Sequence, residues 1–409
     1  MNADVIEKYA KLAIKTGINI QKGQTLVIRT PIECAEFARK LAEIAYDEGA
    51  RDVVISWRDE QFSRLRYLKA PFEVFEEFPD WQKEFYTSHS LKGAAFLSVS
   101  AEDPEILKDV DPKRIATATK TANIALEEYR DRLMNNYNVW SIISIPTKSW
   151  ARKVFPGIPE EEAVEKLWEA IIKVVRADQD DPVAAWKRHK EELDKKIEFL
   201  NSSRFRYLEY RNSLGTDLRI ELHQDHVWLG GPEYSRDGVE FFPNMPTEEV
   251  FTVPLKEGVN GVAVSSMPLN LNGNLIEDFS LTFKDGRVVD YKAKRGQEIL
   301  KHLIETDEGS HYLGEVALVP YDSPISRLQV LFYNTLFDEN ASCHLALGKA
   351  YPSNIKNGDK LSKEELKKVG VNDSLEHEDF MIGTRDLEII GTTFDGKKIP
   401  VFKNGNFTV

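Results

Sequence analysis

His377 and Asp379 stand two residues apart in Glu376-His377-Glu378-Asp379-Phe380-Met381-Ile382-Gly383, a segment that reads as a strand entering an apolar run. Residues i and i+2 of a strand share a face, so this imidazole and carboxylate can address one metal ion while Phe380 and Ile382 face the other way. A second pair, Glu339 and His344, brackets the small-residue stretch Asn340-Ala-Ser-Cys343, where a tight backbone can bring both side chains to one centre. A carboxylate with an imidazole suits zinc, cobalt or manganese. Glu315 opens the otherwise apolar run Val316-Ala-Leu-Val319, and Glu248 and Glu249 lie at the mouth of the β-branched run that starts at Val250. Jointly these segments supply carboxylates and imidazoles at the ends of sheet elements, the constellation that a two-metal hydrolytic site needs.

Other chemistries lack their signatures. The chain contains no GxSxG, HExxH or CxxC, which weighs against serine hydrolases, zincins and thiol chemistry. No glycine-rich phosphate loop follows any strand-like run, which argues against dinucleotides and nucleoside triphosphates. His89 and His189 lie in polar, helix-flanking sequence and His302 on a helical stretch, so they read as surface or packing residues. His223 and His226 form an HxxH whose spacing does not place both rings on one face of a strand. The net charge of −13 would repel nucleic acid and anionic membranes, and neither is expected as a partner. Cys34 and Cys343 are too few for a disulfide framework and read as thiols in a reducing cytosol. The first residues run into an amphipathic helical pattern without an apolar leader, and no 18-residue apolar stretch occurs, so a cytoplasmic location is expected.

The elements that must position these groups fall into two textures. Val5 to Thr16 has helical spacing, Gln24–Arg29 is a β-branched run, Ala35 to Ala50 returns to helical period, and Asp52–Trp57 is again strand-like. Ala94–Ser100 and Val139–Pro146 add two buried strands, each followed by helix-like sequence. Residues 1–200 are therefore expected as an α/β domain with a parallel sheet and covering helices, extended by the charged helical stretch from Pro159 to Leu200. Beyond it, Asn272-Gly273, Asp285-Gly286, Asp395-Gly396 and Asn404-Gly405 each separate β-type runs, with a helix near Arg295 to Thr306. Residues 201–409 are expected as an α+β, mainly antiparallel domain carrying the metal-binding and catalytic groups.

Four ordered blocks, Asn244–Thr252, Gly314–Val319, Asp338–Gly348 and Val371–Gly383, together with Lys22–Arg29 near the start, resemble the M29 family of metallo-aminopeptidases over essentially the whole chain. The resemblance implies two divalent ions (zinc, cobalt, magnesium or manganese) held by Glu249, Glu315, Glu339, His344, His377 and Asp379. It places Tyr351, in Gly348-Lys-Ala-Tyr351-Pro, at the position of the family's catalytic tyrosine. Adjacent strand residues face opposite sides, so only one of Glu248 and Glu249 should reach such a site. The activity implied is removal of N-terminal residues from peptides with a free amine, with broad specificity, by a cytoplasmic homodimer. Glu315 is the favoured carboxylate for bridging the ions or handling the proton, with Glu249 second, and Tyr351 would donate to the developing oxyanion. Four carboxylates balanced by two divalent ions leave a nearly neutral centre. Two other readings stay open at this point: a metal-dependent amidohydrolase such as a deacetylase, and a non-catalytic protein binding a small ligand through its α/β domain.

Overall fold

The structure, a computed structural model, describes residues 3–271 and 274–409, so the expected Asn272-Gly273 turn lies outside the described residues. The chain divides into two compact units: residues 1–190 with 232–246, and residues 191–231 with 247–409. The division falls inside the helix Pro182–Ser203.

The first unit is built on a four-stranded parallel sheet of β1 (Thr25–Pro31), β2 (Asp52–Arg58), β3 (Ala95–Val99) and β4 (Trp140–Ile143), in the order β2-β1-β3-β4. Leu26, Val27 and Ile28 of β1 and Ala95, Phe96 and Leu97 of β3 are all buried, the continuous apolar run expected of strands covered on both faces. The helix Ala35–Asp47 buries Phe37, Ala38, Leu41, Ile44 and Ala45, one stripe at helical spacing. The charged stretch after Pro159 forms two helices, Glu160–Val174 and Pro182–Ser203. They are interrupted where Arg176 takes a left-handed φ of 60° and Trp186 donates its indole N–H to the Val175 carbonyl at 2.7 Å. No helix among the described residues is long and apolar enough to cross a membrane.

The second unit carries two sheets. The larger contains β5 (Phe205–Arg211), β6 (Asp217–Leu222), β8 (Pro254–Val264), β9 (Leu269–Leu271), β10 (Asn274–Lys284), β11 (Arg287–Arg295), β15 (Glu388–Thr393), β16 (Lys398–Lys403) and β17 (Asn406–Phe407). Its described pairings are antiparallel throughout. Asp285-Gly286 and Asn404-Gly405 turn the chain between paired strands with φ of 48° and 80°, and of 52° and 73°. Positive φ at both central residues is the geometry that matches strand twist, which is why Asn-Gly and Asp-Gly mark such hairpins. The helix expected near Arg295 to Thr306 runs over Gln297–Ile304.

The smaller sheet is β7 (Val250–Thr252), β12 (Leu313–Leu318), β13 (His344–Gly348) and β14 (His377–Met381), antiparallel in the order β14-β13-β12-β7. Val250, Leu313, Val316, Leu318, Leu345, Leu347 and Phe380 join one core cluster with Phe279 and Leu281 of β10. Period-two alternation then turns the intervening residues of the small sheet to its opposite face.

Glu60, in the first unit, begins the helix Glu60–Lys69 and accepts the Asp103 N–H at 3.1 Å. Burial raises its carboxyl from 4.5 to about 7, with Glu102 and Glu33 adding to the shift against the Asp103 N–H and Arg58. The fold therefore favours the neutral acid, a contribution that is complete below the unfolded value and lost as pH rises towards about 7. Glu60→Gln removes that loss and keeps an acceptor for Asp103. Its thermal midpoint should gain on wild type between about pH 5 and about pH 8, as melting curves at the two pH values will measure.

Candidate metal centre

The free face of the small sheet gathers the polar residues. Glu315 pairs across with Ala346, and Ala346 with Asp379, so these three form one lateral row. Ala317 and His344 form the next row, with Phe251 opposite Ala317. Glu249 lies two residues before Phe251 and shares its side of the strand, which separates it from Glu248. His377 pairs with Gly348. Small residues at Ala317, Ala346 and Gly348 thus leave room between the donors, while the leucines that alternate with them fill the core.

The distances define two overlapping groups, Glu249-Glu315-His344 and Glu315-His377-Asp379, each with its donor atoms within 4.8 Å of one another. His344 Nε2 lies 3.0 Å from Glu249 Oε2, 3.7 Å from Glu315 Oε1 and 3.9 Å from Asp379 Oδ1. His377 Nε2 lies 3.7 Å from Glu315 Oε2 and 3.8 Å from Asp379 Oδ1. Glu315 is common to both groups and turns a different oxygen to each histidine. Each imidazole donates Nδ1–H to a backbone carbonyl, His344 to Ser342 at 3.0 Å and His377 to Lys349 at 2.7 Å. That bond fixes the tautomer and leaves Nε2 as the inward donor atom, an arrangement typical of metal-binding histidines.

Electrostatics point the same way. Burial raises the Glu315 carboxyl to about 7, with Asp379 and Glu249 adding to it against the hydrogen bond from His344. Glu339 is raised well above its ordinary value by burial and then by Asp379, Glu249 and Glu315. Burial alone would lower the His344 imidazole, but its hydrogen bonds to Glu249 and Glu315 and the charge on Asp379 lift it well above 6.5. Asp379 Oδ1 is buried and makes no hydrogen bond to any described residue. An oxygen-rich pocket with two oriented imidazoles, an orphan carboxylate oxygen and surplus negative charge has the donor chemistry of a divalent cation site.

Five of the six sequence-derived candidates, Glu249, Glu315, His344, His377 and Asp379, therefore converge in the two groups, and Glu339 is electrostatically coupled to them. Tyr351 stands beside them, its ring 4.7 Å from that of His377. Burial first, then Glu315, Asp379, Glu339 and Glu249, raise its hydroxyl well above 10, so it remains a proton donor. His223 and His226 lie apart: His223 Nδ1 accepts the Asp225 N–H at 3.0 Å and His226 Nδ1 donates to the His223 carbonyl at 2.7 Å. Sequence reasoning missed Asn340 and Ala346. The alternation His344-Leu-Ala346-Leu-Gly348, small residues on the donor side of a strand, was the available signal for Ala346.

A largely buried donor set of carboxylates and imidazoles on one face of an antiparallel sheet, backed by a hydrophobic core, defines a metallohydrolase-type centre. The chain belongs to the thermophilic metalloprotease (M29) family, whose model matches residues 2–407. It is 54% identical over 402 residues to Aminopeptidase 2 of Geobacillus stearothermophilus, covering 98% of this chain and 97% of that protein. It is 50% identical to Aminopeptidase AmpS of Bacillus subtilis, covering 98% of each. The solved structure of wild-type AmpT from Thermus thermophilus is similar at a TM-score of 0.93 and 40% identity, covering 99% of both chains.

Ala346 separates Glu315 from Asp379 within their row, so a branched side chain there would occupy the space on which the donors converge. Ala346→Leu is expected to lower metal affinity at least about tenfold, in the range seen when the surroundings of metal ligands are disturbed. Metal content after dialysis against limiting chelator measures it.

Proposed function

We propose that the protein is a metal-dependent aminopeptidase that removes N-terminal residues from peptides through a centre of two divalent cations. The observation that carries the reading is Glu315, whose two oxygens each face a different histidine within one buried donor cluster. In this reading Glu249, Glu315, Glu339, His344, His377 and Asp379 would hold the cations, with Glu315 facing both histidines. Zinc, cobalt, manganese and magnesium all suit such donors. When bound, the cations supply Lewis acidity that brings the pKa of water towards neutrality and polarises the peptide carbonyl.

The chain's own residues then divide the remaining work. Glu315 is the favoured carboxylate either for holding the two cations or for taking up a proton from the attacking water and returning it to the leaving amine. Tyr351, kept protonated by its surroundings, donates O–H to the oxyanion that develops on the scissile carbonyl. Glu249 hydrogen-bonds His344 and is the second candidate for the proton. The buried thiols Cys34 and Cys343 are compatible with a reducing cytoplasm, and the family resemblance implies a homodimer with broad specificity.

Hydrolysis of Leu-p-nitroanilide before and after EDTA, with add-back of Zn²⁺, Co²⁺, Mn²⁺ and Mg²⁺, tests the reading directly. Activity should vanish with the chelator, return with metal, and be absent on the N-acetylated substrate. Cleavage of the blocked substrate would instead identify a general amidohydrolase. Tyr351→Phe should keep its metal content and fold while kcat falls on the order of 10²–10³, as for loss of one oxyanion donor. An unchanged kcat would remove Tyr351 from this role.

A further inference from the structure

Asn340 is fully buried, and its amide is used at both ends. Its Oδ1 accepts the Glu248 N–H at 2.6 Å. Its Nδ2 donates to the Leu336 carbonyl at 2.9 Å and to Glu339 Oε1 at 3.3 Å. A side-chain amide has two N–H donors, so both are consumed. The orientation is also determined, since a flipped amide would set its NH₂ against the Glu248 N–H. Water has no access to replace any of these bonds, and a partner removed from a buried polar group leaves that group unsatisfied.

Two of the three contacts touch the metal centre from different directions. One falls on the carboxylate of Glu339 itself. Another ties down the N–H of Glu248, the residue immediately before Glu249 and 92 positions from Asn340 in the chain. The third anchors both to the short helix Thr335–Asp338. We propose that Asn340 is a positioning residue that sets the orientation of Glu339 and the placement of Glu249 relative to it, so that the two carboxylates meet the cations together. The inference rests on the two-cation reading above. Partners of this kind behind metal-binding groups typically contribute 10- to 100-fold in metal affinity.

The test compares metal-stripped full-length wild type with Asn340→Ala, Asn340→Asp and Asn138→Ala. Asn138 is an equally buried asparagine in the first unit that donates to the Ser90 and Ala94 carbonyls at 3.0 and 2.9 Å. It serves as the purely structural control. Co²⁺ is titrated into each protein, and its dissociation constant, the visible d–d spectrum of the bound ion and the thermal midpoint of the apo protein are read. Asn340→Ala should lose about 10- to 100-fold in Co²⁺ affinity and alter the spectrum. Asn138→Ala should lower the melting temperature with affinity and spectrum as in wild type. Wild-type affinity and spectrum in Asn340→Ala would overturn the proposal. If that variant does not fold, Asn340→Asp decides: it keeps shape and an acceptor for Glu248 but gives Glu339 no donor, so an altered spectrum supports the proposal and a wild-type spectrum overturns it. Failure of the wild type to bind Co²⁺ would remove the metal reading, and this inference with it, a result distinct from wild-type binding that Asn340 leaves unaffected.

Discussion

Glu315 and Asp379 on one sheet face, Glu249 just before its edge strand and Glu339 on the turn after the helix Thr335–Asp338 lie close enough to repel one another, and that repulsion is the constraint on which the second unit is organised. Two like charges about 4 Å apart interact by roughly 4 kcal/mol at an effective dielectric of 20. Burial first, and then this repulsion, make Glu315 and Glu339 bind protons more tightly than ordinary carboxyls, and His344 holds its proton against its own burial. Protons relieve the strain only in part, because Asp379 keeps a buried oxygen without a hydrogen bond. A divalent cation held by these donors would relieve it, which would make metal loading and consolidation of this sheet linked equilibria.

The scaffold resists the repulsion by giving each strand two duties. On β13, His344, Ala346 and Gly348 face the donor side while Leu345 and Leu347 enter the core that contains Phe279 and Leu281. On β14, His377 and Asp379 alternate with Phe380, whose ring lies 5.7 Å from that of Phe279. A one-residue slip in register would turn every donor inward and every leucine outward, so hydrophobic burial enforces the alignment of the polar groups. Backbone carbonyls of Ser342 and Lys349 then fix the two rings, leaving few torsions free at the centre.

Much of this was legible in the sequence because it depends on local period. The His-x-Asp spacing at 377 and 379, the run that follows Glu315, and the Asp285-Gly286 and Asn404-Gly405 turns declare themselves within a few residues, as do the strands and the helix at Ala35–Asp47 of the parallel sheet. The choice between Glu248 and Glu249 was not local: alternation shows that they face opposite ways, but the pairing of Phe251 with Ala317 decides which one shares the donor face. Asn340 was less visible still. Its partners are Leu336 and Glu339 nearby and Glu248 far upstream, and nothing in its neighbourhood distinguishes a clamp from an ordinary helix-flanking asparagine. The break near Arg176 was hidden similarly, since the charged texture continues across it while Trp186 packs back on the Val175 carbonyl.

Glu315 and Glu249 are not equivalent, and topology explains the difference. Glu249 precedes β7, an edge strand of the small sheet, and contacts one histidine, with its Oε2 3.0 Å from His344 Nε2. Glu315 stands on β12, held between β13 and β7, beside the irregular register step between Leu313 and Glu315. Such a bulge re-aims a side chain relative to regular pleating. From that interior position one carboxylate spans the gap between His344 on β13 and His377 on β14, 3.7 Å from each. Glu315 therefore faces both histidines from one position while Glu249 faces one, and this difference in reach is why the proposed role between two cations falls on Glu315.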